Sequence, residues 1–195
     1  SDFIKLNKKN VKALMCVDTS PIMEKSWAQK AGIGWIGKHT NLITRDYGSW
    51  IFLAEIILDI DLIFDPIFED DLCGSCTACI DYCPTNAIVD EYVLDSRKCI
   101  SYLTIEHRGD FPVEHQGNLD SWIYGCDICQ EVCPWNEKFS QKSIEDDFKP
   151  NPEILKKKKK DWKNLTLDEY KKIFKGSPVK RTKYSGLKRN ISKNL

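Results

Sequence analysis

Cysteine is the residue type with the most chemistry to offer in this chain, and there are nine of them in 195 residues. Cys73, Cys76, Cys79 and Cys83, with Pro84 next, follow a C-x2-C-x2-C-x3-C-P run. That spacing suits a pair of 4Fe–4S cubes. Two-residue gaps let one tight loop present three thiolates to three irons of a single cube. The fourth cysteine lies past a turn, too far to close the same cube, and so serves the other. Cys126, Cys129 and Cys133-Pro134 repeat the ending of the run but lack one upstream cysteine, which Cys99 can supply. The expected sets are therefore Cys73, Cys76, Cys79 and Cys133 for the first cluster, and Cys99, Cys126, Cys129 and Cys83 for the second. Zinc uses four ligands, often two C-x2-C pairs, and does not account for this spacing twice over. A disulfide framework belongs to small secreted domains. Cys16, in Leu14-Met15-Cys16-Val17, is expected as a buried small hydrophobe rather than a nucleophile.

The elements that must carry these residues can be sketched from pattern. Ala13 to Val17 reads as a buried strand. Ser20-Pro21 predicts an N-cap and first turn of a helix running to about Ala31 and stopping at Gly32. Thr40 to Thr44 and Ser49 to Leu58 read as two strands around the turn at 45–48. Asp61 to Leu72 is an acidic linker, and the stretch from Glu137 to Pro152 reads as loop. Thr166 to Glu169 predicts a capping box, and the chain ends in a basic helix from Lys183 to Leu195.

Hydrophobic content of 42% and charged content of 30% predict a globular protein, and no apolar run reaches the ~18 residues that span a membrane. The net charge is zero but segregated. Residues 151–195 carry 15 Lys+Arg against 4 Asp+Glu, leaving 14 against 25 for residues 1–150. An acidic body with a basic tail of this size suggests contact with nucleic acid, although a solvated helix surface gives the same composition. The chain opens at Ser1 without methionine, so a longer protein is expected.

Two familiar patterns mislead. Gly32-Ile-Gly34-Trp-Ile-Gly37-Lys38 fits both G-x-G-x-x-G and G-x4-G-K. Both patterns need a strand before the glycines and a helix after them, and here the order is reversed. A nucleotide site is rejected, while a close backbone approach to a flat cofactor stays open. His39, His107 and His115 form no metal-ligand pattern, and the D-x-H-x-x-G of histidine-ligated cobalamin is absent.

Taken together, several stretches resemble the epoxyqueuosine reductase family: Val17-Asp18-Thr-Ser-Pro21-Ile-Met-Glu24, Gly32 to Thr40, Gly48-Ser-Trp-Ile-Phe-Leu-Ala-Glu55, Cys99 to Glu106, Ile123-Tyr-Gly-Cys-Asp127 and Gly176-Ser-Pro-Val-Lys-Arg181. The resemblance implies reduction of epoxyqueuosine to queuosine at the tRNA wobble position. It implies two 4Fe–4S clusters, and a cobalamin held without a histidine on cobalt. It implies tRNA with queuosine-type anticodons as partner, a flavodoxin or ferredoxin as electron donor, a cytoplasmic location and no membrane. It also implies an α+β fold in three parts. Residues 1–66 would be the C-terminal part of a small α/β cobalamin-binding catalytic domain. Residues 67–140 would be a ferredoxin-like domain for the two clusters, and 141–195 a basic, mostly helical tail. An N-terminal region of roughly a hundred residues, absent here, would complete the cobalamin cavity.

On the same resemblance, Asp18 is the expected proton donor to the opening epoxide. Its plain alternative is an ordinary loop aspartate near a helix N-terminus. Asp18, Ile43, Ala54, Ser101, Cys126 and Asp127 are the expected cobalamin contacts, with Ile43 and Ala54 on paired strands facing the corrin. Arg108 is the expected tRNA contact. Two rivals keep the cysteines but change the task. An electron-carrier ferredoxin module leaves Ala13 to Leu58 without a role. Another corrinoid iron–sulfur reductase, such as a reductive dehalogenase, leaves the basic tail without one.

Overall fold

The computed structural model describes residues 11–115 and 119–195; the first ten residues of the expected 1–66 segment lie outside them. Strand β1 (Ala13–Cys16) pairs antiparallel with β4 (Glu55–Leu58), setting Ala13 opposite Leu58 and Cys16 opposite Glu55. Between them in sequence come helix α1 (Glu24–Lys30) and a small hairpin of β2 (Trp35–Ile36) and β3 (Leu42–Ile43). The cysteine-rich stretch follows with α2 (Ala78–Asp81), the hairpin β5 (Ile88–Asp90) and β6 (Val93–Leu94), α3 (Ile100–Ile105), α4 (Ile128–Glu131) and α5 (Pro134–Phe139). Four more helices complete the chain: α6 (Pro152–Lys156), α7 (Lys159–Lys163), α8 (Leu167–Ile173) and α9 (Lys183–Asn194). No helix among the described residues is long and apolar enough to cross a membrane. The mixed helix-and-strand character matches expectation.

The strands expected on either side of residues 45–48 do not pair with each other. β3 joins β2, β4 joins β1, and only an isolated bridge between Thr44 and Gly48 remains of that hairpin. Two local causes account for this. Gly34 lets β2 lie against β3 so closely that a Cβ there would overlap the Ile43 carbonyl oxygen. The backbone N–H of Ser49 is taken by the Asn136 side chain at 2.6 Å, which draws the chain away toward α5. Helix α1 likewise begins at Glu24 instead of Pro21, because the Glu24 carboxylate accepts the Asp18 N–H at 2.7 Å and ties the helix start to the preceding loop. Its end is as expected, with Ala31 as C-cap and Gly32 at φ +76.

The C-terminal segment is a packed unit. Leu165, Tyr170, Ile173, Phe174, Leu187 and Ile191 form a buried cluster, against which Ile123 and Tyr124 from the cysteine-rich stretch also pack. Burying one such aliphatic side chain contributes about 1.5–3 kcal/mol, so this unit holds its place by packing rather than by charge. The expected capping box at Thr166 is present, with the Thr166 and Glu169 side chains each accepting the other's backbone N–H. Asn190, fully buried, donates to the Thr104 and Ile123 carbonyls at 2.7 and 2.9 Å and fastens α9 to α3.

Candidate metal centre

The two cysteine groups fold as near copies. Each places the cysteine before its C-P cysteine, Cys79 or Cys129, on a single helical turn, α2 or α4. The N-cap residues Thr77 and Asp127 have φ/ψ of −121/8 and −114/7, and the C-caps Tyr82 and Val132 have −91/0 and −82/−1. Cys99 and Cys133 both sit at helix N-caps in the extended region, at −69/123 and −75/121. The sequence repeat is thus a backbone repeat, and it turns each C-P cysteine across toward the opposite group.

Two cavities result. One, of about 200 Å³, is lined by Cys73, Cys76, Cys79 and Cys133. The other, of about 260 Å³, is lined by Cys83, Cys99, Cys126 and Cys129. Each set is divided between the two sequence groups in the way the spacing suggested. Cys16, buried in β1, lines neither. Among the described residues, no three Cys, His, Asp or Glu side chains are placed to hold a single metal ion. Thiols that surround a volume instead of converging on a point suit a polynuclear cluster and not tetrahedral zinc. Burial pushes the Cys79 thiol up to about 11 and the Cys129 thiol up to about 12. In the metal-free protein these are neutral thiols, and metal must displace their protons on binding.

Around the first cavity lies a polar frame that the spacing of cysteines could not reveal. Lys38 is 4% exposed, donates to the Gly74 carbonyl at 2.7 Å and pairs with Glu91 at 2.7 Å. Its covered ammonium, held between the Gly74 carbonyl and the half-exposed Glu91, accounts for the lysine of the false nucleotide motif. The Asp71 carboxylate accepts the Cys73 N–H at 2.9 Å and the Tyr92 hydroxyl, which holds Asp71 below the usual carboxylate range. Ser49, Gln130 and Asn136 form a second frame: the Ser49 hydroxyl donates to Gln130 at 2.9 Å, and the Asn136 amide donates to the Ser49 oxygen and the Gln130 carbonyl, both at 2.8 Å. The only hint in the sequence was Gly48, where a Cβ would overlap the Asn136 side-chain oxygen.

The remaining expected residues do not converge. Ser101, Cys126 and Asp127 line the second cysteine cavity. Ile43 is 1% exposed and lies in the wall of the first, packed with Trp35 and Cys133. Ala54 lines a separate apolar groove of about 700 Å³ between α1 and β4. Ile43 and Ala54 are therefore not on paired strands: Ala54 lies just before β4, and β3 and β4 join different partners. Asp18 sits on an exposed loop at φ +54, a left-handed conformation that Asp tolerates better than most residues. Its carboxylate is 3.7 Å from the Arg181 guanidinium, which also pairs with Glu106 at 2.5 Å. This links the Val17-Asp18 and Gly176-to-Arg181 stretches in space. Arg108 is exposed, with its guanidinium donating to the Ile105 and Arg181 carbonyls, both at 2.9 Å. The six residues expected around cobalamin line no single cavity among the described residues.

Residues 72–136 match the 4Fe-4S double cluster binding domain family, which supports iron–sulfur clusters in this stretch. An epoxyqueuosine reductase of Cellulophaga algicola is 56% identical over 175 residues, covering 90% of this chain and 56% of that protein. One from Synechocystis is 47% identical over 180 residues, covering 92% of this chain and 62% of that protein. The chain thus spans rather over half the length of these curated relatives. Among solved structures, an epoxyqueuosine reductase from Bacillus subtilis, described with its catalytic aspartate loop swung out of the active site, superposes with a TM-score of 0.88 at 33% identity. An epoxyqueuosine reductase bound to an epoxyqueuosine-modified tRNA-Tyr stem loop superposes at 0.83, also at 33% identity. Each superposition covers 97% of this chain and 50% of the other.

Proposed function

By sequence and by fold the chain belongs with the epoxyqueuosine reductases, of which it spans a part, and we propose that it works in the reduction of epoxyqueuosine to queuosine in tRNA. The observation that carries this reading is the pair of four-cysteine cavities, each shared between two sequence groups, in a chain 56% identical to a curated epoxyqueuosine reductase. We assign Cys73, Cys76, Cys79 and Cys133 to one 4Fe–4S cluster and Cys83, Cys99, Cys126 and Cys129 to the other. Two clusters so bound supply single electrons to a reduction. The protein's own part is to hold eight thiolates, of which Cys79 and Cys133 are buried and the other six half-buried, and to frame them with Lys38, Glu91, Asp71 and the Ser49–Gln130–Asn136 bonds.

Asp18 is the proposed proton donor. Opening an epoxide leaves negative charge on its oxygen, and a carboxyl Oδ within hydrogen-bond reach can deliver the proton. The loop carrying Asp18 is exposed and its backbone is left-handed, as befits a segment held for function at some conformational cost. A catalytic aspartate loop that can swing out of the active site is what the Bacillus subtilis structure describes for that protein. Arg181 would steady Asp18 between turnovers. Arg108 and the exposed lysines of residues 151–195 are the proposed tRNA contacts, since clustered positive charge binds phosphate without regard to sequence. A cobalamin, if held beside Asp18, Ile43, Ala54, Ser101, Cys126 and Asp127, would supply a strongly reducing metal for this reaction.

The test is conversion of epoxyqueuosine-containing tRNA by the reconstituted protein under a chemical reductant, read by mass spectrometry of the nucleosides. Queuosine formation that depends on the cysteines supports the reading. Electron transfer to artificial acceptors without conversion of tRNA would favour the plain electron-carrier reading.

A further inference from the structure

His39 stands in the wall common to both cysteine cavities. It is only 3% exposed. Its Nδ1 accepts the Asn41 backbone N–H at 3.1 Å. A ring nitrogen that accepts carries no proton, so the ring is neutral and its proton is on Nε2. Burial, reinforced by the charge of Lys25, keeps the imidazolium form away by lowering the pKa to about 4. The Nε2–H has no acceptor among the described residues. A buried donor without a partner is costly and calls for one.

The surroundings narrow what that partner can be. The adjacent Lys38 is itself a donor, and it is already engaged by Glu91 and the Gly74 carbonyl. Asp127, the one carboxylate in the second cavity, accepts from Gln130. No carboxylate lines the first cavity. In the first cavity the only side-chain acceptors are the cysteine sulfurs, joined by the cluster sulfides once a cluster is in place. The second cavity adds the side chains of Thr40, Asn41, Thr85, Ser101 and Gln130 to its sulfurs, and none of these side chains is bonded to the ring.

We infer that the Nε2–H of His39 donates a hydrogen bond to a sulfur of one of the two clusters and so raises that cluster's reduction potential. The physical reason is that a donor aimed at cluster sulfur stabilises the reduced form, which carries one more negative charge. The inference rests on the cavities holding clusters, and the two claims can fail separately.

The experiment uses the anaerobically reconstituted protein, its histidines labelled with 15N. Pulsed EPR of the reduced clusters is expected to show a weak histidine 15N coupling, and His39→Phe is expected to abolish it at unchanged iron content. In EPR-monitored redox titrations, His39→Phe should move one cluster's midpoint to more negative potential, and His39→Gln, whose amide can still donate, should move it back. Absence of histidine coupling in the wild-type protein overturns the inference even if His39→Phe fails to hold iron. Unchanged midpoints for both clusters in iron-replete His39→Phe overturn it as well. A wild-type protein that holds no iron would instead overturn the cluster assignment, and this inference with it.

Discussion

The cysteine cavities and the C-terminal helices are built on opposite plans. In the first, function is written in spacing. Seven of the eight cysteines lie at short fixed intervals on two loops with nearly the same backbone angles, Cys99 stands apart between them, and Cys83 and Cys133 each line the cavity of the other group. In the second, nothing in the spacing of charges tells what the residues do. Lys157 is mostly covered and pairs with Glu169, Lys172 pairs with Glu153, and Arg189 donates to the carbonyls of Leu103, His107 and Gly109 while lying over the Phe111 ring. These three cations of the basic tail are thus engaged by neighbouring groups of the protein itself. Ligand residues must come in sets of fixed geometry, so a sequence displays them. A surface charge can bond to any neighbour, so a sequence does not.

Asp18 offers the sharpest way to set the two plans against each other, since it belongs to neither but touches the second through Arg181. Asp18→Asn keeps size and polarity while removing the acid. It is expected to lower single-turnover conversion of epoxyqueuosine tRNA by about 10²–10⁴-fold while leaving iron content unchanged. Near wild-type conversion would reduce Asp18 to a loop residue.

How far sequence can go is clear from particular residues. The cysteine sets, the capping box at Thr166, the stop at Gly32 and the final basic helix are all legible, because each depends on neighbours within a few positions. The strand pairing is not. Whether the segment after Gly48 folds back on β3 is decided by Asn136, 87 residues from Ser49, and no local signal reports that bond. Lys38 and His39 mislead for the same reason. They fall in a glycine-rich motif whose usual meaning is phosphate, whereas Glu91, which pairs with Lys38, and most of the cysteines that share cavity walls with His39 lie far along the chain. The expected corrin contacts came from a resemblance, and the fold places them in four environments: Asp18 on the exposed loop, Ile43 in the first cavity, Ala54 in the groove between α1 and β4, and Ser101, Cys126 and Asp127 in the second cavity.

Two smaller tests probe the C-terminal unit. Asn190→Leu removes the amide that serves the Thr104 and Ile123 carbonyls; Thr104 keeps the Thr182 hydroxyl as donor, and the Ile123 carbonyl loses its bond to α9. A loss of about 1–3 kcal/mol is expected, read as a melting temperature lower by roughly 2–4 °C per kcal/mol. No change in melting would mean that α9 is not fastened there. Replacing Lys158, Lys159 and Lys160 with glutamine, all exposed, should leave stability nearly unchanged. If these side chains meet phosphate, the salt slope of tRNA binding should fall by about 0.7–0.9 for each phosphate that the substitution leaves unneutralised. An unchanged slope would assign all three to solvated surface.

The central claim is that each cluster draws its fourth cysteine from the other sequence group, and Cys83→Ser tests it most directly. The wild-type protein should hold about eight irons after anaerobic reconstitution. In Cys83→Ser, the signal to be lost or altered in EPR and Mössbauer spectra is that of the cluster also damaged by Cys99→Ser and Cys126→Ser. The cluster damaged by Cys73→Ser should persist. If Cys83→Ser instead reproduces the damage of Cys73→Ser and spares the cluster that depends on Cys99, each loop closes on its own cluster and the assignment is wrong.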